Sequence, residues 1–174
     1  MAAQRETTPE ALIESLERTR DARPRALEGV RRLAAVARDA GVVTASHDEE
    51  DVETRTWYHD LGCRICEFPC NRETAATAIE LGDEVVLGAP NALKGASLYS
   101  RMSARDAAAD GLCTILASDY YYPAQLHAAF LLERLGICSL AEAWELNSAA
   151  PARGLGLYDR GTLEPGKRAD LVIV

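Results

Sequence analysis

The stretch Ile115-Leu116-Ala117-Ser118-Asp119-Tyr120 joins an apolar run directly to a carboxylate, with no glycine or proline between them. In parallel α/β proteins, strands that are buried on both faces have short continuous apolar sequences, and functional side chains follow their carboxyl ends. We therefore predict that a buried strand ends here and that Asp119 stands at the mouth of a catalytic site.

A second apolar run, Val42-Val43-Thr44-Ala45-Ser46, ends in the same way on His47-Asp48. Imidazole and carboxylate groups are both common metal ligands. Two strands that each deliver such a group at the carboxyl end predict a metal-dependent hydrolase built on a parallel β/α barrel. We expect His47 and Asp119 to converge on one rim of a curved sheet.

Strand and helix patterns alternate along most of the chain, which predicts an α/β fold made of βα units. The predicted strands are Val42–Ser46, Arg64–Phe68, Glu84–Gly88 and Thr114–Ser118. The helices predicted to follow them are Glu50–Leu61, Arg72–Leu81, Ser103–Asp110 and Ala124–Leu135. Four such units make half of an eight-unit barrel, although a small open doubly wound sheet is an alternative.

Further helices are predicted on both sides of these units. Thr8-Pro9-Glu10 is a helix start, and a second helix runs from about Arg25 to Ala40 and stops at Gly41. Ser139–Ala149 is predicted to be a helix with a capping box, ended by Pro151. Between the third and fourth units, residues 89–102 are predicted to form a long loop, and long loops in such units are often functional.

The composition excludes several classes of protein. A net charge of −8 over 174 residues argues against a nucleic-acid-coating surface, which needs a basic face. The amino terminus lacks the apolar core of a signal peptide, and no apolar stretch approaches the ~18–20 residues that span a bilayer. Five cysteines without an export signal predict reduced thiols in a cytoplasmic protein.

The segment from Gly161 to Leu171 resembles the tail of the amidohydrolase superfamily, whose members leave their barrel through such a segment into a small β-sandwich. The preceding stretch from Asn147 to Leu157 is also similar to that superfamily. The resemblance implies that residues 1–158 form a partial (β/α)8 barrel. Residues 159–174 would then be the truncated start of the sandwich, beginning with a turn at Pro165-Gly166 and a strand after it.

Four further motifs resemble one branch of this superfamily, the diphosphatases of phosphonate metabolism. They are Ala45-Ser46-His47-Asp48, Glu67-Phe68-Pro69, Gly88-Ala89-Pro90-Asn91 and Ala117-Ser118-Asp119-Tyr120. The resemblance implies hydrolysis of a phosphorylated ribose phosphonate, with a triphosphate chain cut to a 5-phosphate and pyrophosphate. It covers only the C-terminal half of the family protein, so we expect a missing N-terminal half or a partner chain.

The chain departs from this branch in three places. The upstream His-x-His strand and the middle ligands are absent. In the loop Gly95–Arg101, Leu98 replaces a histidine and Arg101 replaces an asparagine. Glu49 stands where a second aspartate follows Asp48 in the family.

The resemblance also implies roles for single residues. His47 and Asp119 would bind a divalent metal, which could be zinc, manganese or magnesium, and Asp119 would take or orient the proton of the attacking water. From the residues alone, an exposed loop histidine explains His47 equally well, and the alternative for Asp119 is a cap for the helix after Pro123.

Other candidate residues surround these two. Asp48 is expected to fix the His47 tautomer, and Glu67 is expected to support the site or pair with a nearby arginine. The candidate triphosphate-binding residues, which an ordinary solvated loop explains equally well, are Asn91, Lys94, Ser97 and Arg101.

The remaining chemistry-bearing residues have mainly structural interpretations. Cys63 and Cys66 are an odd number of residues apart on a predicted strand, which argues against joint ligation of a metal with Cys70. His59 and His127 fall on predicted helices and are expected to pack or face solvent.

Three functions remain open from the sequence. The first is the phosphoric-anhydride hydrolase, for which we predict that this chain alone is inactive because His47 and Asp119 cannot complete a metal centre. The second is a non-catalytic chain, either truncated or a half-barrel that requires a partner. The third is another amidohydrolase that opens a cyclic amide or deaminates a base.

Overall fold

The structure is a computed structural model that describes residues 8–95 and 102–174. Its strands are β1 (Ala45–His47), β2 (Ile65–Glu67), β3 (Glu84–Gly88) and β4 (Ile115–Ala117). Its helices are α1 (Pro9–Asp39), α2 (Val52–Leu61), α3 (Arg72–Glu80), α4 (Ala89–Lys94), α5 (Ala104–Ala109), α6 (Ala124–Arg134), α7 (Leu140–Glu145) and α8 (Ala149–Gly154).

The four strands form one parallel sheet in the order β1-β2-β3-β4. Each strand therefore lies beside its neighbour in the chain, and each connection crosses the same face of the sheet. A doubly wound sheet reverses its strand order and carries helices on both faces. The observed order favours a stretch of barrel over that alternative.

The main core lies between the sheet and helices α3 to α7. Cys66, Val85, Leu87 and Leu116 point from the strands into it. The helices contribute mostly small side chains, namely Ala75, Ala78, Ala89, Ala92, Ala104, Ala107, Ala124, Ala128, Ala129 and Ala143, together with Leu132. Small residues allow helices to approach the sheet closely, and larger, partly buried side chains such as Ile79, Trp144 and Leu146 pack around them.

The opposite face of the sheet is covered at one end by α8. Ile65, Val86 and Ile115 pack there against Ala150. Arg153 pairs with Glu84 at 3.5 Å, so the cover sits over the amino-terminal ends of the strands. The carboxyl ends on this face, including exposed His47, lie beyond it.

Two predicted helices near the amino terminus are one helix of 31 residues, so the predicted break before Arg25 is wrong. Thr8 caps its start, and Pro24 lies inside it. An interior proline lacks a backbone donor and crowds the carbonyl four residues earlier, but the sequence before it contains no glycine that would end the helix. Nearly all of α1 is exposed, and Ala34 is its buried residue.

Most other element boundaries also differ from the prediction, and the predicted helix Ser139–Ala149 already ends at Glu145; three of the differences have a clear physical reason. β1 begins at Ala45 because Val42 and Val43 have no paired strand beside them, and both are exposed. Residues 89–94 of the predicted loop form α4, with Pro90 in the first turn. Pro151 lies in the first turn of α8 instead of ending a helix, since no backbone donor is needed there.

The tail contains the predicted turn at Pro165-Gly166. Residues 169–174 have no regular secondary structure, so the predicted strand after this turn is not formed. The β-sandwich therefore stays a prediction.

The predictions about membrane-spanning segments and about reduced cysteines can be compared with the structure. Among helices in residues 8–95 and 102–174, none is long and apolar enough to cross a membrane. The five cysteines all lie within these ranges, and none forms a disulfide.

Candidate catalytic site

The carboxyl ends of the four strands meet at one edge of the sheet, which we call the rim. His47 ends β1, Glu67 ends β2, Gly88 ends β3, and Asp119 follows β4 by two residues. His47 and Glu67 are directly paired in register, so their side chains leave the same face of the sheet. The two candidate residues His47 and Asp119 therefore share one rim, with β2 and β3 between them.

Three residues at this rim have left-handed backbone conformations that side chains rarely adopt. The φ angles are 59° at Asp48, 52° at Phe68 and 50° at Asp119, and no other non-glycine residue in the described ranges has a positive φ. Backbone hydrogen bonds hold two of them: Asp48 N donates to Glu67 O at 3.0 Å, and Phe68 N donates to Val86 O at 2.9 Å. Such strain clusters at functional sites, where the surrounding structure maintains it.

Asp119 lies over the small space that Gly88 leaves open. A Cβ atom at Gly88 would be 3.5 Å from Asp119 Oδ2, 3.7 Å from Asn91 Nδ2 and 3.4 Å from Phe68 Cε1. A carboxylate and an amide thus face the same point at the floor of the rim. The alternative role of Asp119 as a helix cap is wrong, because Pro123 occupies that position in α6 and no side chain caps the helix.

His47 is held from one side by its neighbour. Its Nδ1 is 3.1 Å from Asp48 Oδ2, and its ring meets Phe68 edge-on with the centroids 5.2 Å apart. An Nδ1–H donated to this carboxylate leaves Nε2 as the acceptor. Phe68 thus touches His47 and also borders the space shared by Asp119 and Asn91.

A fully buried group of charges lies behind β1, and the sequence analysis did not identify it. Arg55 Nη1 donates to Glu49 Oε1 at 3.0 Å and to Ser46 Oγ at 2.9 Å. Cys66 Sγ donates to Glu49 Oε2 at 2.8 Å. Burial, followed by the hydrogen bond to the Glu49 carboxylate, raises the pKa of the Cys66 thiol to about 12.

Arg55 also connects this group to two loops. Its Nη2 donates to Cys63 O at 2.9 Å and lies 3.5 Å from Asp83 Oδ2. Asp83 is in turn 2.8 Å from His59 Nδ1, so His59 is part of a charge network rather than simply packed or exposed. The four partners of Arg55 come from β1, the turn after it, and the loops before β2 and β3. The sequence signal for this network was the presence of Glu49 at a position where the family has an aspartate.

Lys94 and Tyr120 meet above the rim. Lys94 Nζ donates to Tyr120 Oη at 2.7 Å and lies 5.3 Å from the centre of the tyrosine ring. Both side chains are exposed, and Tyr120 directly follows Asp119. A cation is therefore fixed one residue from the candidate catalytic carboxylate.

Two candidate substrate-binding residues, Ser97 and Arg101, lie outside the described residues, as does Leu98. Their predicted roles stay predictions. The roles of Asn91 and Lys94 also stay predictions, although both side chains lie at or above the rim.

The described residues do not assemble a metal site. Within residues 8–95 and 102–174, no group of three histidine, cysteine or acidic side chains could hold an ion together. Two strands separate His47 from Asp119, and the Cys66 thiol is engaged with Glu49. His47 and Asp119 could supply at most two ligands, so a metal does not fit this chain alone.

Two solved structures share the fold of this chain. One is an uncharacterized protein, with a TM-score of 0.62 and 16% identity, over 81% of this chain and 40% of the other. Another is an uncharacterized metal-dependent hydrolase from Pyrococcus furiosus, with a TM-score of 0.59 and 16% identity, over 80% of this chain and 35% of the other. At this identity the likeness shows the fold alone.

A curated protein is much more similar in sequence. The chain is 38% identical over 143 residues to α-D-ribose 1-methylphosphonate 5-triphosphate diphosphatase of Escherichia coli strain K12. This homology confirms the resemblance inferred from the motifs. The match covers 81% of this chain but only 38% of the diphosphatase. No protein-family model matches the chain.

Proposed function

We propose that this chain forms part of a phosphoric-anhydride hydrolase that cuts a ribose phosphonate 5-triphosphate to the 5-phosphate and pyrophosphate. The observation that carries the proposal is the 38% identity to the diphosphatase over 143 residues. That identity also favours this reaction over the cyclic amidase or deaminase alternative. The rim, with a carboxylate and an amide facing one point, supports it independently.

The sheet is proposed to be half of a (β/α)8 barrel. Its sequential strand order and the position of α8 on the opposite face support this architecture. β1 and β4 are the two edge strands within the described residues, and a closed barrel has no edges. Four more strands, from an N-terminal half or a partner chain, would therefore join at β1 and β4.

Different residues at the rim would serve in proton transfer and in anion binding. Asp119 would accept the proton of the attacking water, because it lies beside the open space above Gly88. Lys94 and Asn91 would hold phosphoryl oxygens through charged and neutral donors. His47 would have a fixed orientation because Asp48 engages its Nδ1.

A divalent ion, whether zinc, manganese or magnesium, would need ligands that this chain does not bring together. No three possible ligands come together within residues 8–95 and 102–174, and His47 and Asp119 stand at opposite edges of the sheet. We therefore propose that the chain alone is inactive.

A chimera tests the proposal directly. The 143-residue matched segment of the Escherichia coli diphosphatase is replaced by the matched residues of this chain. We expect the chimera to release pyrophosphate from the ribose phosphonate triphosphate, and a chelator to stop the release. The chain alone should release none. A folded chimera without any pyrophosphate release would contradict the proposal.

A second candidate is a non-catalytic chain that only associates with a partner. The observation that favours it is the lack of a three-ligand cluster in the part of the chain that the structure describes. Unpaired strand edges promote association, so light scattering should detect oligomers of the isolated chain. A metal-free monomer that stays in solution at high concentration would count against the exposed-edge argument.

A further inference from the structure

A pocket of about 400 Å³ lies on the helix side of the sheet, among α4, α5 and α6. Its lining residues are Leu93, Arg105, His127, Phe130, Leu131 and Arg134. Cavities of this size are sufficient for a small organic molecule. The pocket is separate from the rim, because none of its lining residues belongs to the group around Gly88.

The pocket gathers positive charge without a carboxylate to neutralise it. Arg134 and His127 form no ion pair or side-chain hydrogen bond with other residues in the described ranges. Elsewhere, Arg72 pairs with Asp110, and Arg153 pairs with both Glu84 and Glu145. In a chain with a net charge of −8, the unpaired guanidinium of Arg134 beside this cavity favours an anionic ligand, and the His127 ring can add a hydrogen-bond donor.

Arg105 forms a fixed wall of the pocket. Its guanidinium donates to the carbonyl oxygens of Ala92 and Leu93 at the end of α4. Gly95 makes room for it, because a Cβ atom there would lie 2.8 Å from the guanidinium carbon. Arg105 is therefore held in place, whereas the Arg134 donors remain available for a ligand.

The other walls are apolar. Leu93, Phe130 and Leu131 line them, and Phe130 is held edge-on against Trp144 with ring centroids 6.1 Å apart. An aromatic face beside a free guanidinium favours a ligand that has both an anionic head and an apolar body.

We propose that this pocket binds a small organic anion with a phosphate head and an apolar body. Arg134 donates to the phosphate through its planar fork, and His127 provides a further donor. Phe130 and Leu131 cover the body. The proposal does not rest on the function proposed for the rim.

Phenyl phosphate is a suitable probe, with inorganic phosphate as the head alone and phenol as the body alone. Binding to the chain is measured by calorimetry and by the NMR signals of its three histidines, assigned with His127→Gln and His59→Gln. We expect phenyl phosphate to bind at least tenfold more tightly than either part and to shift the His127 signal. Equal binding of phenyl phosphate and inorganic phosphate, or a shift of His47 in place of His127, would overturn the proposal.

Variants then locate the site. Arg134→Gln should weaken phenyl phosphate binding about tenfold or more, since charge-assisted hydrogen bonds are lost. Arg18→Gln on exposed α1 is the matched control and should change nothing, as should Asp119→Asn at the rim. Arg134→Lys keeps the positive charge but loses the planar guanidinium with its paired donors. Its affinity for phenyl phosphate should lie between those of the parent chain and Arg134→Gln. Unchanged affinity in Arg134→Gln would refute the assignment.

Discussion

The two halves of the sheet are held in place by different forces. Around β1 and β2, the buried charges of Glu49, Arg55 and Asp83 connect strand, helix and loops through directional bonds. Around β3 and β4, alanines of α4, α5 and α6 pack against Leu87 and Leu116, and the buried Asp83 just before β3 pairs with Arg55 of the first half. The same parallel scaffold is thus fixed by a polar network on one side and by close packing on the other.

This difference has consequences for the rim. The turn at His47-Asp48 stands directly beside Glu49, so the network holds the candidate imidazole. Asp119 instead depends on the absence of a side chain at Gly88 and on the packing beneath β4. Substitution of a charged residue in the polar half should therefore break specific hydrogen bonds and ion pairs. Truncation of a large side chain in the apolar half should instead leave a cavity.

Removal of the Arg55 charge should have the largest effect. Arg55→Met leaves Glu49 and Asp83 buried without their partner, and we expect a loss of about 3–5 kcal/mol in the free energy of unfolding. Urea titration of the isolated chain measures it, with Arg38→Met on exposed α1 as the control. A loss below about 1 kcal/mol would mean that the network does not hold this half together.

A large cavity on the apolar side should cost somewhat less. Leu132 is fully buried in α6, and Leu132→Ala should destabilise the chain by about 2–4 kcal/mol through lost packing. Leu135→Ala, at an exposed position just after the helix, is the matched control. Equal effects of the two substitutions in the same titration would contradict the proposed core.

One buried thiol in each half should make stability depend on alkaline pH. Burial raises the pKa of Cys66 and that of Cys113 to about 12 each, from an ordinary 9.0. A raised pKa stabilises the folded state fully below pH 9, and this contribution is lost as the pH rises towards 12. We expect the free energy of unfolding to fall over that window, and Cys113→Ala to reduce the slope.

A control for the thiol prediction is native alkylation. Both thiols should resist iodoacetamide at pH 8 in the folded chain and react after unfolding in urea, because the thiolate is the reactive form. Rapid modification of Cys113 in the native state, detected by mass spectrometry, would show that it is not buried as described.

The smallest effect is expected at the capping box of α7, outside both halves. Ser139 Oγ and the Glu142 carboxylate cap each other's backbone, and Ser139→Ala should cost about 1 kcal/mol. The hydrogen bonds from the Ser139 side chain and backbone lower the pKa of Glu142. The stabilisation that the ionised Glu142 carboxylate gives should be fully present above pH 4.5 and should be lost as the solution becomes more acidic. Thermal melting across that pH range would detect the loss.

The apolar half was easier to predict from the sequence than the polar half. Glu84–Gly88 was predicted with the bounds that the structure has, because a short apolar run between turn residues is a local signal. The capping box of α7 was also found from four consecutive residues. Both features depend only on neighbours in the chain.

The polar half depends on residues that are distant in sequence. Arg55 lies on a helix with other charged residues, where an arginine is usually exposed, and nothing local shows that Glu49 and Asp83 surround it. For the same reason β1 was predicted to start too early, since the apolar character of Val42 could not show that no strand lies beside it. The shared rim was predictable because parallel strands place their carboxyl ends together.

Pyrophosphate release by an Asp119→Asn variant of the chimera tests the central claim most directly, namely that the rim of this sheet carries out the hydrolysis. Loss of a general base should slow the release by about 10²–10⁴-fold while the melting temperature stays close to that of the parent chimera. A variant that releases pyrophosphate at the parent rate would show that the acid beside Gly88 has no part in the reaction.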